Sequence, residues 1–236
     1  MRLLCSIILS IVVICGCAKK SAYIPTMTKT VTNDSVKTYL ALGDSYTVGE
    51  AVPQAESFPY QLQAQFNKSG LHVDTPKIIA TTGWTTDELI NAIGQSGLVG
   101  KKYDIVTLLI GVNDQYRGMS QDNYRIKFKH VLDTAIQFAG GNRKHVFVLS
   151  IPDYGVTPFA QGQDAVIGPQ IDQFNSANKS ISDTEGVNYL DITGISRQAA
   201  SDPSLIASDG LHPSEKMYGL WVGELALLVE ANLSQR

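Results

Sequence analysis

The chain has 236 residues, a formal net charge of −3 and a pI near 5.8, a size for one domain or at most two. Hydrophobic residues make up 44% and charged residues 17%, enough apolar material for a sizeable core, while the lack of any Lys/Arg cluster argues against a nucleic-acid surface. All three cysteines, Cys5, Cys15 and Cys17, fall in the first 17 residues, so the body can form neither a disulfide framework nor a cysteine metal site.

In chain order, the first predicted element is a targeting segment. Arg2 supplies a positive start, Leu3 to Ile14 is almost wholly apolar, and the chain turns polar after Cys17. Such a run is short for a membrane span and suits a secretory signal. Ile14-Cys15-Gly16-Cys17 resembles a bacterial lipobox. That resemblance implies cleavage after Gly16, lipid on Cys17 and an address in the bacterial cell envelope; with no Asp after Cys17, it points to the outer membrane. Stable anchoring needs more than one acyl chain, which a lipoprotein cysteine provides. An ordinary secretory signal with a chance cysteine is the competing reading. The expected organisation is a signal peptide over 1–16, a flexible tether over 17–36, rich in Thr, Lys and Ser, and one domain over 37–236.

From Lys37 onward, short apolar runs alternate with amphipathic stretches. The runs Tyr39–Leu42, Lys77–Ala80, Asp104–Ile110, His145–Leu149 and Val187–Ile192 are rich in β-branched residues and bounded by turn formers, so they predict five strands. Helices are predicted over Phe58–Phe66, Thr86–Ile93, Asp122–Phe138, Pro169–Ile181 and Glu215–Leu233. In the third, Ile126, Val131, Leu132, Ile136 and Phe138 are expected near one face. In the last, Leu220, Trp221, Leu225 and Leu228 are expected to pack. Strand–helix alternation implies a parallel sheet with helices on both faces.

Ligands of such sheets sit beyond the carboxyl ends of the strands. Those ends carry Gly43-Asp44-Ser45-Tyr46, Thr82-Gly83-Trp84, Gly111-Val112-Asn113-Asp114 and Ser150 to Gly155, and Asp209-Gly210-Leu211-His212-Pro213 precedes the last helix. Acyl transfer needs a nucleophile, a base, an orienter for the base and donors for an oxyanion. Ser45 offers a hydroxyl at a glycine-permitted turn, and Asn113 offers a neutral N–H donor. Of the four histidines, His72, His130, His145 and His212, only His212 has a carboxylate close before it in a turn. Asp209, three residues earlier, can accept from Nδ1 and set the tautomer. Ser45 and Asp209 could instead be helix caps. Asp44 and Asp114 read as structural turn residues. Trp84, Tyr116, Tyr154 and Phe159 either line a substrate pocket or pack the loops.

Together these blocks resemble the signature of the GDSL/SGNH hydrolases: Gly43-Asp44-Ser45, Gly83, Gly111-x-Asn113-Asp114 and Asp209-x-x-His212, in family order over about 170 residues. Tyr46 stands where the name-giving leucine would be. The resemblance implies a flavodoxin-like three-layer α/β/α sandwich with a five-stranded parallel sheet, and a serine esterase mechanism without metal or cofactor. By it, Ser45 is the nucleophile, His212 the base and Asp209 its orienter. Ser45 N–H, Gly83 N–H and Asn113 form the oxyanion hole. The expected partner is an acylated lipid or acetylated carbohydrate. An acyltransferase using the same triad and a non-catalytic glycan- or lipid-binding module are the alternatives.

Overall fold

A computed structural model describes residues 35–233. The signal segment, Cys17 and the tether as far as residue 34 lie outside the described residues. The strands are β1 (Tyr39–Gly43), β2 (Lys77–Ala80), β3 (Ile105–Leu109), β4 (Val146–Leu149) and β5 (Asn188–Leu190). They form one parallel sheet in the order β2-β1-β3-β4-β5, with Leu40 opposite Lys77 and Tyr39 opposite Ile105. Every residue of β1, β3 and β4 is buried, as a sheet covered on both faces requires, and this is why these strands read as unbroken apolar runs. The edge strands β2 and β5 are partly open, and Lys77 and Asn188 bring polar groups to them. The strand expected over Val187–Ile192 pairs only from Asn188 to Leu190. Beyond it, Ser150 Oγ takes the Ile192 and Thr193 N–H groups (2.8 and 3.1 Å), and the chain leaves the sheet for a helix.

The helices are α1 (Ser45–Val48), α2 (Phe58–Ser69), α3 (Thr86–Gln95), α4 (Val112–Tyr116), α5 (Gln121–Phe138), α6 (Asp164–Glu185), α7 (Thr193–Arg197) and α8 (Glu215–Leu233). α2 packs on α8, and α3, α5 and α6 pack in series. In α5 the buried face runs through Tyr124, Phe128, Val131, Leu132 and Ala135, the i, i+4, i+7, i+8, i+11 stripe of a helix. Ile126 lies two residues from Tyr124, about 200° around the axis, and is 71% exposed, against the expectation that it packs inward. Leu220 in α8 is likewise exposed, while Trp221, Val222 and Leu225 fill the core. α6 begins five residues before Pro169, which the sequence places at a helix start. The ring occupies an exposed position beside exposed Ala165, so water can satisfy the carbonyl that loses its partner.

Candidate active site

The turn after β1 is built by its own residues. A Cβ on Gly43 would lie 2.1 Å from Thr47 Oγ1 and 2.4 Å from the Leu109 carbonyl, so only glycine fits there. Asp44, wholly buried, caps α1 by accepting the Tyr46 N–H at 3.0 Å. Burial pushes its carboxyl up to about 8. Asp44 Oδ2 is buried without a hydrogen-bond partner, so this carboxyl has a structural place and no contact with the reacting groups. Ser45, the first residue of α1, is 5% exposed.

The Gly83 and Asn113 loops are tied together. Thr86 donates to Asp114 through its N–H (3.0 Å) and its hydroxyl (2.6 Å). Asn113 Nδ2 donates to the Trp84 carbonyl at 3.0 Å, and Arg117 donates to the Gly83 carbonyl at 2.6 Å. The Asn113 amide has two N–H bonds; Trp84 takes one of them, and Asn113 lines the pocket. Gly83 has φ +86° and Gly111 φ +127°, a region that side chains disfavour. A Cβ on Gly111 would also meet the Tyr124 hydroxyl at 2.1 Å. The clamp by Arg117 is legible in no motif considered above, because it depends on two loops meeting.

His212 comes from the turn before α8. Ile206 bridges Pro213, and the Ala207 N–H donates to the His212 carbonyl at 2.8 Å. Within this turn Asp209 Oδ1 accepts the Leu211 and His212 N–H groups, both at 3.0 Å, while Oδ2 lies 2.5 Å from His212 Nδ1. Partial burial pushes the Asp209 carboxyl up, but the bonds from the His212 ring and the two N–H groups outweigh it and hold it below its usual range. An ionised carboxylate only accepts, so the ring proton stays on Nδ1 and Nε2 is left as an acceptor. Nε2 stands 3.0 Å from Ser45 Oγ. The Tyr46 ring meets the imidazole edge-on at 5.6 Å and is itself backed by Trp221.

These groups face a pocket of about 150 Å³ lined by Ser45, Tyr46, Gly83, Asn113 and His212 with Val112, Tyr116, Tyr154, Phe159 and Leu211. Ser45, Gly83, Asn113 and His212 are thus brought together on one rim, with Asp209 behind the imidazole. Trp84 is the exception among the expected residues. It is absent from the pocket wall and its indole is half-buried against the core; what it gives the site is its carbonyl. Its place beside Gly83 in sequence carries no information on which way the ring turns once the chain enters α3.

A parallel α/β sheet with hydroxyl, imidazole and carboxylate in contact at its carboxyl edge is the arrangement of a hydrolase. The model of the GDSL-like lipase/acylhydrolase family matches residues 41–220, and the chain belongs to that family, as a carboxylic ester hydrolase. No curated protein sequence matches it. Among solved structures it is similar to the psychrotrophic esterase EstA from Pseudoalteromonas sp., inhibited by monoethylphosphonate (18% identity, TM-score 0.62, 83% of this chain and 97% of that one). It is similar also to the lipase/acylhydrolase from Enterococcus faecalis (18%, 0.63, 84% and 96%) and to an acetyl xylan esterase from Geobacillus stearothermophilus (17%, 0.60, 82% and 94%). At these identities the likeness is one of fold.

Proposed function

We propose that this enzyme cleaves esters of short acyl groups through an acyl-enzyme on Ser45. The observation that carries this reading is the unbroken chain from Ser45 Oγ through the His212 ring to Asp209, at 3.0 and 2.5 Å, between residues 167 positions apart. Ser45 Oγ attacks the acyl carbonyl while His212 Nε2 takes its proton. The tetrahedral oxyanion is held by the N–H groups of Ser45 and Gly83 and by Asn113 Nδ2, with Arg117 fixing the Gly83 peptide from outside. His212 returns the proton to the leaving alkoxide, and the C–O bond of the ester breaks. Water, deprotonated by the same ring, then attacks the acyl-serine and releases the acid.

The size of the pocket supports a short acyl group. A cavity of about 150 Å³ holds a benzene-sized guest, roughly six carbons, and this pocket is of that volume. Of the two substrate classes anticipated above, an acetylated carbohydrate presents such an ester, whereas the fatty acyl chain of a lipid exceeds the pocket. We further propose that Cys17 carries lipid and holds the enzyme at the outer membrane of a bacterial envelope.

Steady-state rates on p-nitrophenyl esters from two to twelve carbons, with Ser45→Ala beside the wild type, test the reading. Turnover is expected to peak at or below about six carbons and to fall by about 10⁴-fold or more in Ser45→Ala. An ethylphosphonate with a good leaving group should add one mass increment to wild type and none to the variant. Ser45→Ala that keeps wild-type turnover overturns the assignment.

A further inference from the structure

On the far side of Tyr116, Tyr154 and Phe159 lies a second cleft of about 500 Å³, within the 300–1,000 Å³ of small-molecule sites. The three rings are shared between the two cavities and meet one another at 6.2–6.3 Å between centroids, so they form the sill from one to the other. Tyr116 is 61% and Phe159 45% exposed. The rest of the lining includes four primary amides, Gln115, Gln161, Gln163 and Gln170, and not one charged side chain.

We propose that this cleft binds the neutral sugar portion of an acylated carbohydrate whose ester reaches Ser45. The proposal rests on the reading of Ser45 given above. Gln115 and Asn113 stand on the same short helix, so the cleft is rigidly joined to the ester-binding pocket. Gln115 is buried and donates from Nε2 to Gln170 Oε1 at 2.6 Å, which bridges α4 to α6. That bond leaves the N–H groups of Gln170, an exposed residue, for a ligand. Gln115 Oε1 is buried without a hydrogen-bond partner, so Gln115 acts by holding Gln170 in place. The exposed amides of Gln161 and Gln163 each carry an acceptor beside donors and match neighbouring hydroxyls that donate and accept. The exposed faces of Tyr116 and Phe159 suit the C–H face of a pyranose.

The rim supports the same occupant. Gln161 ends the short helical turn Pro158–Ala160 in a left-handed backbone, φ +51° and ψ +39°, which sets its amide at the rim of the cleft. The Phe159 N–H donates to the Gly210 carbonyl at 3.0 Å, which ties the aromatic sill to the turn that carries His212. An alkyl chain in this cleft would strip water from the amides and leave them unpaired, and a phosphate headgroup would find no cation among the lining residues.

The test compares kcat/KM for tetra-O-acetyl methyl glucoside with that for p-nitrophenyl acetate, in wild type, Gln170→Ala and Gln163→Ala, two residues that line the cleft and not the ester pocket. Both side chains are exposed, so the variants are expected to fold, as a thermal melt will check. The ratio of sugar ester to p-nitrophenyl ester should fall about tenfold in each variant, the effect of one lost polar contact. Methyl glucoside titrated into Ser45→Ala should shift tyrosine fluorescence, and less so after Gln170→Ala. The proposal is overturned if the ratio stays within about twofold in both variants. It is overturned equally if wild type cleaves p-nitrophenyl acetate but not the sugar ester, or if the variants lose rate on lysophosphatidylcholine instead. A wild type inert toward p-nitrophenyl acetate is a separate result, and it would strike at Ser45.

Discussion

Asp209→Asn isolates the electrostatic half of the site with little disturbance of its shape. The asparagine oxygen can keep the two N–H bonds from Leu211 and His212 that Asp209 Oδ1 accepts, so the turn should persist. What changes is the group facing His212 Nδ1, now at 2.5 Å from a carboxylate oxygen. As His212 takes the serine proton it becomes a cation, and in the variant that cation has no counter-charge. Two unit charges at about 4 Å attract by about 4 kcal/mol at an effective dielectric of about 20. One third of the Asp209 side chain is open to water, which reduces this to about 3 kcal/mol, or ~10²-fold in rate. The amide also presents N–H to Nδ1–H unless the ring moves its proton to Nε2, where it can no longer accept from Ser45. Correcting that mismatch costs about 1–3 kcal/mol more.

The sum is a fall in kcat on the order of 10³–10⁴, read with p-nitrophenyl acetate at neutral pH. KM should change little, since the carboxylate lies behind the ring. Thermal stability should fall by only about 1 kcal/mol. The sign of its pH dependence follows from the lowered carboxyl: this contribution is present at neutral pH and is lost only as pH falls below the ordinary carboxylate range. A variant with kcat within tenfold of wild type would refute the reasoning.

Asp44→Asn should behave in the opposite sense to a removed ion pair. Its carboxyl rises from 3.8 to about 8 by burial, so the stability of the neutral form is fully present below about pH 4 and drains away as pH climbs toward 8. Asparagine keeps the acceptor for Tyr46 N–H and cannot ionise, so melting temperatures from pH 5 to 9 should fall less steeply in the variant; a steeper fall contradicts the assignment. Gly111→Ala should destabilise the fold by at least about 2 kcal/mol, from a positive φ and a methyl driven into the Tyr124 hydroxyl. It should also cut turnover by displacing Asn113. Urea unfolding and kcat on one preparation read both, and a variant as stable as wild type would show that the loop gives way freely.

Much of this protein is determined by local pattern. The strands of a doubly covered parallel sheet must be apolar at every position, so their runs stand out in sequence, as in Ile105–Leu109. Asp209 and His212 are three residues apart in one turn, and their contact is a local property of that turn. Tertiary structure decided the rest, because it depended on elements distant in the chain. Ser45 reaches His212 only when the ends of β1 and the turn before α8 meet across the sheet. Whether Trp84 or Phe159 faces the pocket depends on how α3 and the rim loop seat against neighbours that composition does not name. The same holds for Ile126, which is apolar in sequence and solvent-facing in fold: the helix can bury one stripe, and Tyr124 and Phe128 take it. The amide-lined cleft exists because α4 and α6 approach one another, a packing relation with no signature along the chain.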